Sequence, residues 1–227
     1  MRARISVIIP TLNAGQALAA CFGALMEGVE QGLIRELIVS DGGSDDATVT
    51  LAQGWGGEVV HGAPSRGGQL QRGVAVAQGE WLLILHADTA LQAGWSEAVQ
   101  AHLADPEAAG WFRLAFDARG FAATVVAGWA NLRSRLGLPY GDQGMLIHRD
   151  LYAAVGGYPD QPLMEDVALA RQLRGKLCGL DAVAVTSAAK YKQQGWLNRG
   201  ARNLITLVRY CAGTSPEVLS ASYNKRK

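Results

Sequence analysis

A histidine and a carboxylate stand two residues apart where a wholly apolar run ends, in Trp81-Leu82-Leu83-Ile84-Leu85-His86-Ala87-Asp88-Thr89. Magnesium and manganese need only one or two carboxylates plus substrate phosphates, and imidazole suits manganese better than magnesium. Asp88 is therefore a candidate metal ligand. His86 lies on the same side of an extended chain, as a second ligand or as a hydrogen-bond partner of whatever binds there. Taken alone, Asp88 serves equally well as a cap for the next helix.

Other polar groups follow apolar runs in the same way. In Pro10-Thr11-Leu12-Asn13 the side-chain oxygens of Thr11 and Asn13 can cap a helix or hold a ligand. In Ser40-Asp41-Gly42-Gly43-Ser44-Asp45-Asp46 two glycines permit a tight turn, with Ser44 or Asp45 expected as the N-cap of the following helix. That leaves Asp41 as a carboxylate without a capping duty, of the kind that recognises a ribose hydroxyl or a base N–H. Ser65-Arg66-Gly67-Gly68-Gln69 reads as a glycine-bearing, basic helix entrance, suited to a phosphate or to an ordinary turn. Tyr140-Gly141-Asp142-Gln143-Gly144 sets an acid and an amide between glycines. Met164-Glu165-Asp166 puts adjacent carboxylates at a helix start, where the dipole favours their charge. Neighbours point different ways, so one can cap while the other acts as a general base. Acids at helix starts are also commonly structural.

These groups need a sheet to present them. Apolar runs at 5–10, 35–40, 58–61 and 81–86 read as strands, and 16–30, 45–53 and 68–78 as the intervening helices. That alternation predicts a βαβ sheet whose strands are covered on both faces and whose ligands bind beyond their carboxyl ends. Further on, 110–116, 144–148 and 182–186 read as strands and 121–136 and 165–174 as helices, a looser pattern that predicts a partly antiparallel extension.

The chain's 227 residues suit one α/β domain with a C-terminal appendage. Its 21 lysines and arginines nearly match 20 acids, so no global field recruits nucleic acid. Cys21, Cys178 and Cys211 are too few and too scattered for a disulfide framework or a CxxC metal site, and a reducing cytoplasm is the expected compartment. The N-terminal apolar stretch is too short for a signal peptide and is broken by Pro10. No run approaches the ~20 apolar residues of a membrane span.

From Lys192 to Cys211 the residues Leu197, Ala201, Leu204, Val208 and Cys211 share one helical face, with Lys192, Arg199, Arg202 and Arg209 opposite. The favoured reading is a helix packed across the domain or a subunit interface. Peripheral contact with anionic lipid through residues 192–212, at the inner face of the membrane, is the alternative. Residues 224–227 read as a frayed tail.

In this order Ser6-Val-Ile-Ile-Pro-Thr-Leu-Asn13, Ser40-Asp-Gly-Gly-Ser-Asp45, Leu85-His-Ala-Asp88 and Met164-Glu-Asp166 resemble the inverting glycosyltransferases of family 2. The resemblance covers about residues 4 to 175, and the ordered set is more specific than any one motif. It implies a GT-A nucleotide-diphospho-sugar transferase fold, an α/β structure with a mostly parallel central sheet, flanking helices and C-terminal amphipathic helices. Residues 1–190 would form the transferase domain and 191–227 a helical appendage packed on it. A narrower likeness, in Arg66-Gly-Gly-Gln-Leu-Gln71 and Tyr140-Gly-Asp-Gln-Gly144, is to a bacterial branch labelled radical-SAM/selenodomain-associated or arsenosugar-biosynthesis transferases. That label identifies no substrate.

The resemblance implies a metal-dependent hexosyltransferase using a nucleotide-diphosphate sugar, uridine diphosphate being the favoured carrier, with Mn2+ or Mg2+ as cofactor. Pro10, Thr11, Asn13 and Asp41 would border the nucleotide, and Arg66, Gly67, Ala87 and Asp88 would also contact the donor. Asp88 takes the last position of the family's Asp-x-Asp metal motif, and His86 replaces the first acid. Ala14 replaces the glutamate that commonly follows Asn13. Asp166, paired with Glu165, would be the catalytic base, and Asp142 and Gln143 would meet an acceptor of unknown identity. A nucleotide-sugar sensor or assembly partner without turnover is the rival reading, since fold does not dictate activity. A nucleotidyltransferase would want a glycine- and basic-rich loop after the first strand, which Pro10-Thr-Leu-Asn13 lacks.

Overall fold

A computed structural model describes residues 3–224, so the last three residues of the tail read as frayed, 225–227, lie outside it. The first half alternates strands β1 (Ile5–Thr11), β2 (Ile34–Asp41), β3 (Glu58–His61) and β4 (Trp81–Ile84) with helices α1 (Gly15–Glu30), α2 (Thr48–Gly54) and α3 (Arg66–Val76). Then come β5 (Thr89–Leu91), α4 (Trp95–His102), β6 (Ala109–Phe116), α5 (Phe121–Arg135), a 3-10 turn (Gly141–Gln143) and β7 (Met145–His148). Helices α6 (Arg149–Ala154) and α7 (Glu165–Gln172), strand β8 (Leu177–Thr186), and α8 (Ala189–Gln194), α9 (Trp196–Cys211) and α10 (Pro216–Asn224) complete it.

One eight-stranded sheet runs β3-β2-β1-β4-β7-β6-β8-β5. Strands β3, β2, β1 and β4 are parallel; β7 is antiparallel to both β4 and β6, and β8 runs parallel to β6. Strands β6 and β8 therefore point the same way as β1 and β4. Their carboxyl ends, Phe116 and Thr186, open on the same edge as Thr11 and Asp41.

Strand alternation splits the core into two layers. Val7, Ile9, Leu83 and Leu85 pack with Leu18, Phe22 and Leu25 of α1 and Trp95 and Val99 of α4. Ile8, Leu82 and Ile84 face the other way, onto Leu70 and Val74 of α3, Leu151 and Tyr152 of α6, Leu169 of α7 and Leu173 just beyond it. At about 1.5–3 kcal/mol per buried large apolar side chain, two covered faces explain why these strands read as unbroken apolar runs. A third cluster joins Leu163, Met164 and Val167 to Leu207 of α9 and Leu219 of α10.

Several boundaries differ from expectation. Strand β1 continues one residue past Pro10, whose missing N–H is harmless because β4 pairs with β1 only as far as Ile8. Helix α2 begins at Thr48, so neither Ser44 nor Asp45 is its cap; Asp46 takes the Thr48 N–H instead. Strand β4 ends at Ile84, which leaves His86 and Asp88 in a turn closed by the Thr89 N–H to the His86 carbonyl, 3.1 Å. The helix expected at 192–211 is two, α8 and α9, broken at Gly195, whose φ of 83° lies in the left-handed region. Among the described residues no helix is long and apolar enough to cross a membrane.

Candidate active site

Beyond the shared edge lies a cleft of about 760 Å³, counting the part open to solvent. Arg66 reaches it from the start of α3, His86 and Asp88 from the turn after β4, and Gly141 and Asp142 from the 3-10 turn. Asp166 enters from the first turn of α7. The chain approaches α7 through Met164, a non-glycine residue with φ of 66°. Such strain, on the order of 1–3 kcal/mol, persists where the surroundings over-determine it. On the helix that follows, the two adjacent acids point different ways: Glu165 is 1% exposed and off the cleft wall, while Asp166 lines it.

Asp166 is held by two N–H groups. Its Oδ2 accepts from Gly141 at 2.8 Å and its Oδ1 from Val167 at 2.7 Å. A carboxylate has about four acceptor directions, so two remain for a ligand. Gly141 itself leaves no room for a side chain, because a Cβ there would run into the His86 imidazole. Burial and the nearby Arg66 push the His86 pKa down to about 4, which keeps the ring neutral at pH 7 and able to offer a lone pair.

Burial works against the charge on Asp88, but His86 and Lys190 outweigh it and hold its pKa below the usual carboxylate value. The Lys190 ammonium lies 3.5 Å from Asp88 Oδ2. Burial, with Asp166 and Asp88 close by, raises Asp142 to about 6 despite Arg133. Among the described residues the buried Asp142 Oδ1 finds no hydrogen-bond partner. Among the described residues no three His, Cys, Asp or Glu side chains come together as a metal cage. The donor set instead fits an ion held by two protein ligands, His86 and Asp88, with substrate oxygens completing its shell. Three carboxylates around one cleft, one with an orphaned oxygen, favour a cation there.

A family model described as glycosyl transferase family 2 matches residues 6–144, more than half of the chain. The chain belongs to glycosyl transferase family 2. PGL/p-HBAD biosynthesis glycosyltransferases of Mycobacterium bovis and Mycobacterium tuberculosis are 38% identical over 93 residues, 38% of this chain and 36% of theirs. The match thus spans about a third of those relatives' length. The mannosyltransferase PcManGT of Pyrobaculum calidifontis, solved with GDP-Man and Mn2+, superposes with a TM-score of 0.67 at 18% identity, over 98% of this chain and 69% of that one. Glucosyl-3-phosphoglycerate synthase of Mycobacterium tuberculosis, solved with Mn2+, uridine diphosphate and glucosyl-3-phosphoglycerate, gives 0.54 at 22%, over 82% and 70%. These two likenesses show a shared GT-A fold, with a mixed rather than purely parallel sheet here.

Within this family 2 chain the expected residues fall into three groups. Arg66, His86, Asp88, Asp142 and Asp166 share the cleft. Pro10, Thr11, Asn13 and Asp41 gather at the carboxyl ends of β1 and β2 and are not among the residues lining the cleft. There Asp41 is fully engaged: Oδ1 accepts the Thr11 and Ser44 hydroxyls at 2.9 and 2.5 Å, and Oδ2 the Gly43 and Ser44 N–H at 2.9 and 2.8 Å. Burial opposes its charge, yet these bonds, led by Ser44, lower its pKa. Asp41 caps no helix, but it organises its own turn through these bonds. Asn13, at φ 51°, ties the two loops together, its Oδ1 accepting the Asp45 N–H at 3.0 Å.

The third group is structural. The Gly67 N–H donates to the Gln161 carbonyl at 3.1 Å, and a Cβ on Gly67 would strike the Pro159 carbonyl, so the start of α3 is a docking point for the 159–161 loop and not an open phosphate cradle. Ala87 is 8% exposed and off the cleft wall. Glu165 is likewise buried off the cleft wall, and Asp166 alone of the expected pair lines it. Gln143 is 0% exposed: its Oε1 accepts from Ser134 Oγ at 2.5 Å and its Nε2 donates to the Phe112 carbonyl at 3.2 Å, which corrects its acceptor-binding role. Gln143→Leu leaves several buried groups unpaired and is expected to cost about 2–4 kcal/mol in urea unfolding, with donor affinity unchanged.

Burial, reinforced by Asp166 and countered by Arg66, raises Glu165 to about 7. A folded pKa above the unfolded value means that stability present at low pH is lost as pH rises from about 4.5 to 7, by at most ~1.4 kcal/mol per unit. His86, depressed to about 4, tilts the other way over an overlapping range. The test is therefore a difference: stability of the native chain minus that of Glu165→Gln falls between pH 5 and 7 and is flat above.

Sequence reasoning missed a further part of the cleft lining, made by Phe116, Lys190, Tyr191, Arg199, Asn203 and Tyr223. The Asn203 amide donates to Tyr191 Oη at 3.1 Å and Arg199 to Tyr223 Oη at 3.0 Å, which fixes α8, α9 and α10 to one another. The available signal was positional: Lys190 and Tyr191 follow the carboxyl end of β8, the kind of place already searched after β1, β2 and β4.

Proposed function

We propose that this chain is an inverting, metal-dependent glycosyltransferase that moves a sugar from a nucleotide-diphosphate donor to an acceptor hydroxyl. The observation that carries the reading is the common cleft of Asp88 and Asp166 in a family 2 chain, with Arg66 beside both. The nucleotide would lie along Pro10, Thr11, Asn13 and Asp41, whose ordered loops offer backbone groups and the Asn13 amide. Arg66, whose positive charge Glu165 and Asp166 reinforce, would face the diphosphate.

His86 and Asp88 would hold a divalent cation, which when bound adds positive charge beside the departing diphosphate. Asp166 accepts the acceptor hydroxyl's proton as that oxygen attacks the anomeric carbon from the face opposite the leaving group, inverting the centre. Lys190 lies close enough to Asp88 to share in neutralising the diphosphate. The structures of two relatives with the same fold hold GDP-Man or uridine diphosphate together with Mn2+, which supports this donor class and ion.

The Lys190–Asp88 pair also favours a second reading, a nucleotide-sugar sensor in which lysine takes the cation's place. A thermal-shift panel of uridine, guanosine and cytidine diphosphates and their sugars, with and without Mn2+, tests both. At a hundred times Kd a ligand specific for the native state adds about 2.7 kcal/mol. Stabilisation by one donor with Mn2+ is expected. No shift from any of them rejects both readings, and a donor that binds but is never consumed leaves the sensor.

A further inference from the structure

Helix α5 is turned inside out. Its large apolar side chains Phe121, Val125, Trp129 and Leu132, with Leu136 just beyond it, recur every three or four residues and so form one stripe. That stripe faces solvent, Phe121 being 86% exposed and Leu136 75%, while the buried side is Ala123, Ala130, Arg133 and Ser134. Helix α9 packs beside α5 and repeats the arrangement. Leu197 is 86% exposed and Leu204, Ile205 and Val208 are also exposed, while Thr206 and Leu207 turn inward. The expectation that the apolar face of this helix packs across the domain is thus reversed. Contiguous exposed apolar surface on this scale marks a docking face.

Charge identifies the occupant. Residues 118–136 and 187–214 contain eight lysines and arginines and no aspartate or glutamate. All 20 acids lie elsewhere; of the eight cations Arg133 is buried and Lys190 and Arg199 line the cleft, while Arg119, Arg135, Lys192 and Arg209 are exposed. Arg119 and Arg135 sit at the two ends of the α5 stripe and Arg209 beside the α9 stripe, all exposed. A second copy docking through a two-fold axis would set this positive surface against itself. An anionic lipid surface satisfies both features, taking apolar side chains at the acyl boundary and cations at the headgroups.

We propose that α5 and α9 together form a docking surface for an anionic phospholipid membrane. The proposal uses the outer faces of these helices and needs no catalytic step, so it stands or falls apart from the transferase reading.

The test is co-flotation of the whole chain with phosphatidylglycerol/phosphatidylcholine vesicles and with phosphatidylcholine alone. Binding to the anionic vesicles, reduced by high salt, and a blue shift of tryptophan emission that Trp129→Ser diminishes are expected. Phe121→Ser/Leu197→Ser removes binding, and each of Arg119→Ala, Arg135→Ala and Arg209→Ala weakens it roughly fivefold. These positions are exposed, and unchanged far-UV dichroism and donor-induced thermal shift verify the fold. Failure to float with anionic vesicles overturns the proposal. So does a dimer in light scattering that Phe121→Ser/Leu197→Ser converts to monomer, since a second copy then covers the face.

Discussion

Asp166→Asn is expected to lower sugar transfer by about a hundred- to ten-thousand-fold while donor binding survives. Asparagine keeps the shape of the side chain and one acceptor oxygen, so a bond to the Gly141 or Val167 N–H can be retained. What it loses is the ability to take a proton. Alanine would also release the 3-10 turn that carries Asp142, mixing a positional defect with the chemical one. Initial rates and a donor titration on the same preparation separate the outcomes. Unchanged rates remove Asp166 as the base, and lost donor binding would make it part of the donor site.

Asp88→Asn is expected to abolish the part of donor binding that depends on Mn2+. If His86 and Asp88 are the two protein ligands, as proposed, losing the carboxylate would leave a neutral imidazole alone, too little for a hard cation. The fold should barely notice. The Lys190–Asp88 pair is half exposed, and such pairs contribute about 0–1 kcal/mol. Urea unfolding of the ligand-free variant should therefore match the native chain, while the Mn2+-dependent increment in donor-induced thermal shift disappears. An increment that persists would place the ion elsewhere.

Strands β1 to β4 and their helices were legible because each is an apolar run with a periodic helix behind it, and both faces of the sheet are covered. The second half was less so. Strand β8 reads as 182–186 alone, because residues 177–181 carry Gly179 and Asp181 within an otherwise apolar stretch. Its direction depends on pairing with β6 across more than sixty residues, which no local pattern encodes. Without that direction Lys190 and Tyr191 could not be placed at the site edge.

Polar residues at the turns posed a different problem. Asp41, Gly67 and Gln143 carry the residue types of a ligand site, yet their partners are Ser44, Gln161 and Ser134 of the same chain. A buried carboxylate or amide needs partners whatever their origin, so composition alone does not separate the two uses. Helix α5 illustrates a third limit. Periodicity revealed the helix but not that its apolar side points to solvent.

The family match ends at residue 144, before Asp166, so the assignment of the base rests on the cleft. The decisive measurement is proton NMR of the first-formed sugar when the donor selected by thermal shift is turned over with Mn2+, water serving as acceptor. An in-line displacement assisted by Asp166 converts an α-linked donor into β-sugar first, and Asp166→Asn makes it at least a hundredfold more slowly. The α-anomer appearing first, or an undiminished rate in the variant, would contradict it.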